Sequence, residues 1–150
     1  MVQLSKHFSL EEFTFSNTAV SAGIKNVPLK EHYNNLLVTA QGFEQVRELL
    51  GNEPIEITSG YRGPELNRLV GGVLDSDHCL GWAGDAKHSR LSVRAAYEKI
   101  KLSNIQYDQL IYEFGRWFHL SFNPRMRRQN LIAVKVAAGN HKWKTKYLAD

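Results

Sequence analysis

The decamer Ser76-Asp-His78-Cys-Leu-Gly81-Trp-Ala83-Gly-Asp85 sets an imidazole and a carboxylate seven residues apart, with glycine and small residues between them. Further along, Glu113-Phe-Gly-Arg-Trp117-Phe-His119 supplies a second imidazole and a second carboxylate. Two histidines and one aspartate can hold Zn²⁺ and leave a fourth position for water. The remaining glutamate can then move protons. That set of side chains is the equipment of a hydrolase.

Spacing alone carries little weight for His78 and Asp85, because such pairs recur by chance. The second cluster adds geometry. Trp117-Phe-His119-Leu-Ser121-Phe122 alternates, so His119 shares a face with Trp117 and Ser121, while Phe118, Leu120 and Phe122 face the core. If residues 113–119 form one extended strand, Glu113 lies on the His119 face. If they form a hairpin with loop 114–116, residue 113 opposes 117 and 111 opposes 119. Glu113 then sits diagonal to His119, roughly 7–8 Å away. A two-residue loop would reverse the parity and remove Glu113 from the site, leaving a solvated turn glutamate. Arg62 ends Ser59-Gly-Tyr-Arg62 after a strand, where a fixed guanidinium can stabilise an oxyanion. Taken alone it reads as a surface arginine paired with Glu65. Cys79 reads as a small apolar filler beside a ligand.

These groups need a scaffold. Ser9-Leu-Glu-Glu12 is a capping box opening a short helix through Phe13. Residues 14–28 carry breakers and read as irregular. Residues 30–50 show the strongest helical periodicity, closed by Gly51, with Gly42 inside as either a close-packing point or a tolerated cost. A strand follows at 54–59, then a turn and a Pro64-led helix to about Val70. The first motif occupies a loop running into a strand at 82–86, followed by a helix near 92–101. Strands at 108–112 and 117–122 flank the second motif, and residues 131–137 read as the last strand. Helices in the first half and clustered strands in the second give an α+β class.

The 150 residues suffice for one domain, 1–150. An apolar content of 43% with 23% charged residues excludes the disordered class. A net charge of +4 favours anionic polymers such as cell wall, lipopolysaccharide or nucleic acid without choosing among them. Arg125, Arg127 and Arg128, with Lys142, Lys144 and Lys146, form two basic patches. No nucleic-acid motif accompanies them, and they suit attachment to an anionic wall. One cysteine excludes an intrachain disulfide and is compatible with a reducing compartment. The N-terminus lacks an apolar core of signal-peptide length, and no window reaches the roughly 20 apolar residues of a membrane span. The expectation is a soluble protein made in a reducing cytoplasm without a signal peptide.

The string Ser-x-His-x-x-Gly-x-Ala-x-Asp at 76–85 resembles the signature of the zinc D-Ala-D-Ala carboxypeptidase family, peptidase family M15. Ser-Gly-Tyr-Arg at 59–62, Trp-x-His at 117–119 and the opening Leu-Ser-Lys-His-Phe-Ser-Leu-Glu-Glu-Phe at 4–13 resemble that family in matching order. The resemblance implies a hedgehog/D,D-peptidase-like α+β fold, with a small antiparallel sheet packed against helices. It implies Zn²⁺ on His78, Asp85 and His119 and a substrate drawn from peptidoglycan stem peptides. Arg62 and Glu113 would be catalytic, and Ser76 and Trp117 would contact substrate. The family includes D-Ala-D-Ala carboxypeptidases, dipeptidases and L-Ala-D-Glu endopeptidases of phage lysins. A short, basic chain without a signal looks most like a phage endolysin, monomeric and reaching the wall with holin assistance. Non-catalytic zinc modules of the same fold are the alternative. One departure is plain: many members place the catalytic acid three residues before the last histidine, where this chain has Arg116. Glu113, six residues before it, must then serve.

Overall fold

The computed structural model describes residues 1–150. Helix α1 (Leu10–Thr14) starts at the expected capping box: the Ser9 side chain accepts from Glu12 N, and the Glu12 carboxylate accepts from Ser9 N. Residues 14–28 are not wholly irregular. A short helix α2 (Asn17–Ala22) forms there, capped by the Ser16 hydroxyl and stopped by Gly23 in the left-handed region. Its capping serine was the available signal.

Helix α3 (Lys30–Leu49) buries Leu36, Ala40, Phe43 and Val46, a stripe recurring at three and four residues. Gly42 lies on that stripe for a packing reason: a Cβ there would collide with the ring of Phe122. Strand β1 (Ile55–Ser59) leads through a turn into α4 (Pro64–Leu69), and α5 (Asp77–Leu80) precedes β2 (Ala83–His88). The first motif is therefore no plain loop; its histidine stands on a single helical turn. Helix α6 (Val93–Lys101) follows, capped by Ser92. The chain then runs through β3 (Gln109–Glu113), β4 (Trp117–Ser121), β5 (Gln129–Ala137) and β6 (Trp143–Ala149).

The expected last strand, 131–137, is thus followed by another. Seven consecutive pairs join β5 to β6, from Leu131 with Ala149 to Ala137 with Trp143. The alternating lysines 142, 144 and 146 were its trace in the sequence, with Trp143, Thr145 and Tyr147 between them.

The six strands make one sheet in the order β1-β2-β4-β3-β5-β6. Every neighbouring pair is antiparallel except β3 with β5. The fold is α+β. One face of the sheet carries Ala86, Leu110, Phe118 and Leu120 into a core shared with Phe43 of α3 and Tyr97 and Ile100 of α6, all fully buried. The rings of Phe8, Phe13, Phe43 and Phe122 meet with centroids 5.9–6.2 Å apart. The other face is left to the polar chemistry. No helix is long and apolar enough to cross a membrane.

The Gly42 contact decides between two opposing magnitudes. Replacing glycine by alanine inside a helix stabilises it by about 1 kcal/mol. Overpacking a filled core costs about 1–3 kcal/mol. Gly42→Ala is expected to lower the unfolding free energy by about 1 kcal/mol in urea denaturation. A stabilised variant would show that Phe122 moves aside freely.

Candidate metal centre

His78 sits on α5, whose N-cap is Ser76: the serine hydroxyl accepts from His78 N at 3.2 Å. Asp85 and His119 are cross-strand partners on β2 and β4. The three side chains meet where the helical turn lies against the sheet. His78 Nε2 is 3.2 Å from His119 Nδ1, His119 Nδ1 is 3.1 Å from Asp85 Oδ1, and Asp85 Oδ1 is 3.3 Å from His78 Nε2. All three residues are buried.

This near-equilateral triangle fits zinc. Tetrahedral coordination with bonds of about 2.0–2.1 Å puts neighbouring ligand atoms about 3.3–3.4 Å apart. His78 Nδ1 lies 2.7 Å from Gly60 O and can only donate there, which fixes the tautomer and turns the Nε2 lone pair toward the cluster. Gly60 must be glycine, since a side chain would run into the backbone of Phe13. Arg62 N donates to His78 O at 3.1 Å, tying the same turn to α5 a second time.

The electrostatics agree with a cation at the centre. Burial depresses the basicity of His78, and Asp85 restores it only in part. Burial also opposes charge on Asp85, yet His78 and His119 hold its carboxyl far below the usual range. For His119 burial is outweighed by Asp85 and Glu113, and its pKa rises.

Glu113 closes β3. The hairpin register is the three-residue-loop one: Glu113 pairs with Trp117 and Ile111 with His119. Glu113 thus stands on the metal face, one step along the sheet from His119. Burial raises its pKa to about 7, reinforced by the charge of Asp85 and opposed by His119 and Arg62. The Trp117 indole opposes the rise weakly, although its buried Nε1 has no partner with full hydrogen-bond geometry. Arg116 lies in the exposed loop.

Arg62 forms no ion pair with Glu65. Its Nη1 reaches Ser59 Oγ at 3.4 Å, and its buried Nε has no partner. Arg62, Asp85 and Trp117 line a cleft of about 510 Å³ together with Phe15, Ser59 and Lys87. Cys79 is half-buried and lies outside the triangle.

A polar staple went unnoticed in the sequence. Asp77 accepts from Ser121 Oγ at 2.6 Å, from Asn123 Nδ2 at 2.9 Å and from Arg125 Nη2 at 3.1 Å. It joins the turn that carries His78 to the end of the strand that carries His119. Arg125 and Arg127 also bind fully buried Asp108, and Arg128 donates to the carbonyls of Ile105 and Ser103. The arginine cluster is thus committed internally and is no free basic patch.

The family profile of Peptidase M15 matches residues 6–121. The chain belongs to peptidase family M15. No curated protein matches it. The M15 family supports a zinc metallopeptidase, and the His–Asp–His cluster is compatible with that metal.

Two outcomes follow from the geometry. His78→Ala or His119→Ala is expected to abolish stoichiometric zinc measured by atomic absorption, while the parent protein binds one ion per chain. Glu113 has a folded pKa near 7 against about 4.5 for a free glutamate. Its contribution to stability is present below about pH 4.5 and is lost as pH rises through 7. Metal-free Glu113→Gln should therefore gain stability over the parent across that window, by at most about 3 kcal/mol in denaturant titrations. A difference that is flat with pH would show that burial does not hold the proton on Glu113.

Proposed function

We propose that this M15 peptidase hydrolyses amide bonds in the stem peptides of peptidoglycan, as a lytic, endolysin-type enzyme. The observation that supports it most is the triangle of three buried protein donors, with Asp85 lining a cleft that also presents an arginine with an unpartnered donor. A purely structural zinc site would be closed by a fourth protein ligand.

A zinc ion held by His78, Asp85 and His119 supplies a Lewis acid and lowers the pKa of a water. Glu113 takes the proton from the attacking water and delivers it to the leaving amine. A pKa near 7 suits both halves of that exchange, since the group must accept and then release a proton at neutral pH. Arg62 offers its guanidinium to the carbonyl oxygen as negative charge develops there. Trp117 forms one wall of the cleft, stacked edge-on with Phe114 at 5.8 Å. Ser76 acts through His78, as the cap of its helical turn.

Purified zinc-loaded protein is expected to lower the turbidity of a cell-wall suspension. Mass spectrometry of the released muropeptides identifies the bond: free D-alanine marks a carboxypeptidase, and separated stem fragments mark an endopeptidase. Glu113→Gln should keep its zinc and lose about 10²–10⁴-fold in turnover. Full activity in that variant removes Glu113 from the mechanism, and intact muropeptides after incubation with the parent protein refute the peptidase reading.

A further inference from the structure

Strand β6 lies beyond residue 121, where the family match ends. It nevertheless brings a side chain to the site. Trp117, Glu113, Ala133 and Tyr147 form one row across β4, β3, β5 and β6. Directly paired residues share a face, so Tyr147 stands on the face that carries Glu113, His119 and Asp85. Only the methyl group of Ala133 separates Tyr147 from Glu113 in that row. The two backbones are about 9.5 Å apart, two interstrand spacings, which a tyrosine and a glutamate reaching toward each other can bridge.

The strand is held firmly. Asp150, just past its end, accepts from the hydroxyl of fully buried Tyr97 at 2.6 Å and from Lys101 Nζ at 2.9 Å. Its backbone N–H donates to Asn130 O at 3.0 Å. Tyr147 itself is 50% exposed. Burial and the charges of Glu113 and Asp85 raise its pKa, with no side-chain hydrogen bond contributing. A donor on a fixed strand that shares the face of Glu113 and makes no hydrogen bond within the chain is placed to serve a ligand.

We propose that Tyr147 contacts the substrate, donating its phenolic hydrogen bond to a main-chain carbonyl oxygen of a peptide bound over the sheet face that carries Glu113. Arg62 enters from the β1 end of the sheet and Tyr147 from the β6 end, so the two donors flank the metal triangle. The inference rests on the peptidase reading for its ligand class. It adds that the C-terminal hairpin completes the site.

Two measurements test it. Tyr147→Phe should retain one zinc per chain and an unchanged melting temperature, with kcat/KM on a stem pentapeptide reduced about tenfold or more. Trp143→Ala, on the same strand and face, should leave turnover unchanged. Parental kcat/KM in Tyr147→Phe overturns the proposal, as does an equal loss in both variants. The second measurement does not depend on turnover. In the zinc-loaded protein with labelled tyrosines, the Tyr147 ring signals (assigned by their absence in Tyr147→Phe) should shift saturably as the pentapeptide is added. Unmoved signals overturn the contact even if the protein proves active. A protein that binds through Tyr147 but cuts nothing would sink the peptidase reading and leave the contact standing.

Discussion

Three electron-rich atoms are forced to within 3.1–3.3 Å of one another in a buried place. With His78 Nδ1–H committed to Gly60 O, its Nε2 lone pair faces the Asp85 carboxylate and His119 Nδ1. Such an arrangement is repulsive unless a cation sits among the three atoms, because little water is present to screen them. Folding must therefore assemble the site against its own electrostatics, and the surrounding structure supplies the constraint. Backbone contacts from the Gly60–Arg62 turn hold His78 from one side. The Asp77 staple to Ser121, Asn123 and Arg125 holds it from the other. The neighbouring Asp85 and Glu113 raise the basicity of His119 in the same place.

The sheet divides the work between its faces. One face is saturated with aromatic and aliphatic contacts to α3 and α6, and positions such as Gly42 leave no slack. The other face carries functional groups at fixed registers. Asp85 pairs with His119 and Glu113 with Trp117, so two adjacent rows of the ladder carry most of the site. A strand register is hard to shift where the opposite face is buried, since a slip of one residue would turn every core side chain outward. The apolar packing beneath thus sets the positions of the donors above it.

That coupling explains what the sequence could reveal. The alternation of Trp117–Phe122 put His119 on the polar face, and the parity of the loop put Glu113 beside it; both are local properties of one strand pair. His78 was legible by type and spacing, but its helical turn was hidden in a motif of only four helical residues, too short for periodicity to register. The Asp77 staple and the pairing of Arg125 and Arg127 with Asp108 were not legible, because they join residues about 20 to 50 positions apart whose charges looked solvated. The same holds for β6. Its alternation was visible, but the exposed lysines on one side gave no sign that Tyr147 on the other shares a face with Glu113.

The position of Glu113 follows from hairpin geometry. Residues three before the histidine fall in the 114–116 loop, where Arg116 is exposed and Phe114 and Gly115 adopt left-handed backbone angles, φ 57° and 71°. A phenylalanine there costs about 1 kcal/mol or more, since a Cβ crowds the following carbonyl. The ring is not idle, for it packs edge-on against Trp117 and takes Lys135 Nζ at 4.6 Å over its face. The strained residue therefore closes a loop of the one length that keeps Glu113 opposite Trp117. Glu113 thus reaches the face of His119 through the parity of its loop, and Phe114 is where this chain bears the cost of that parity.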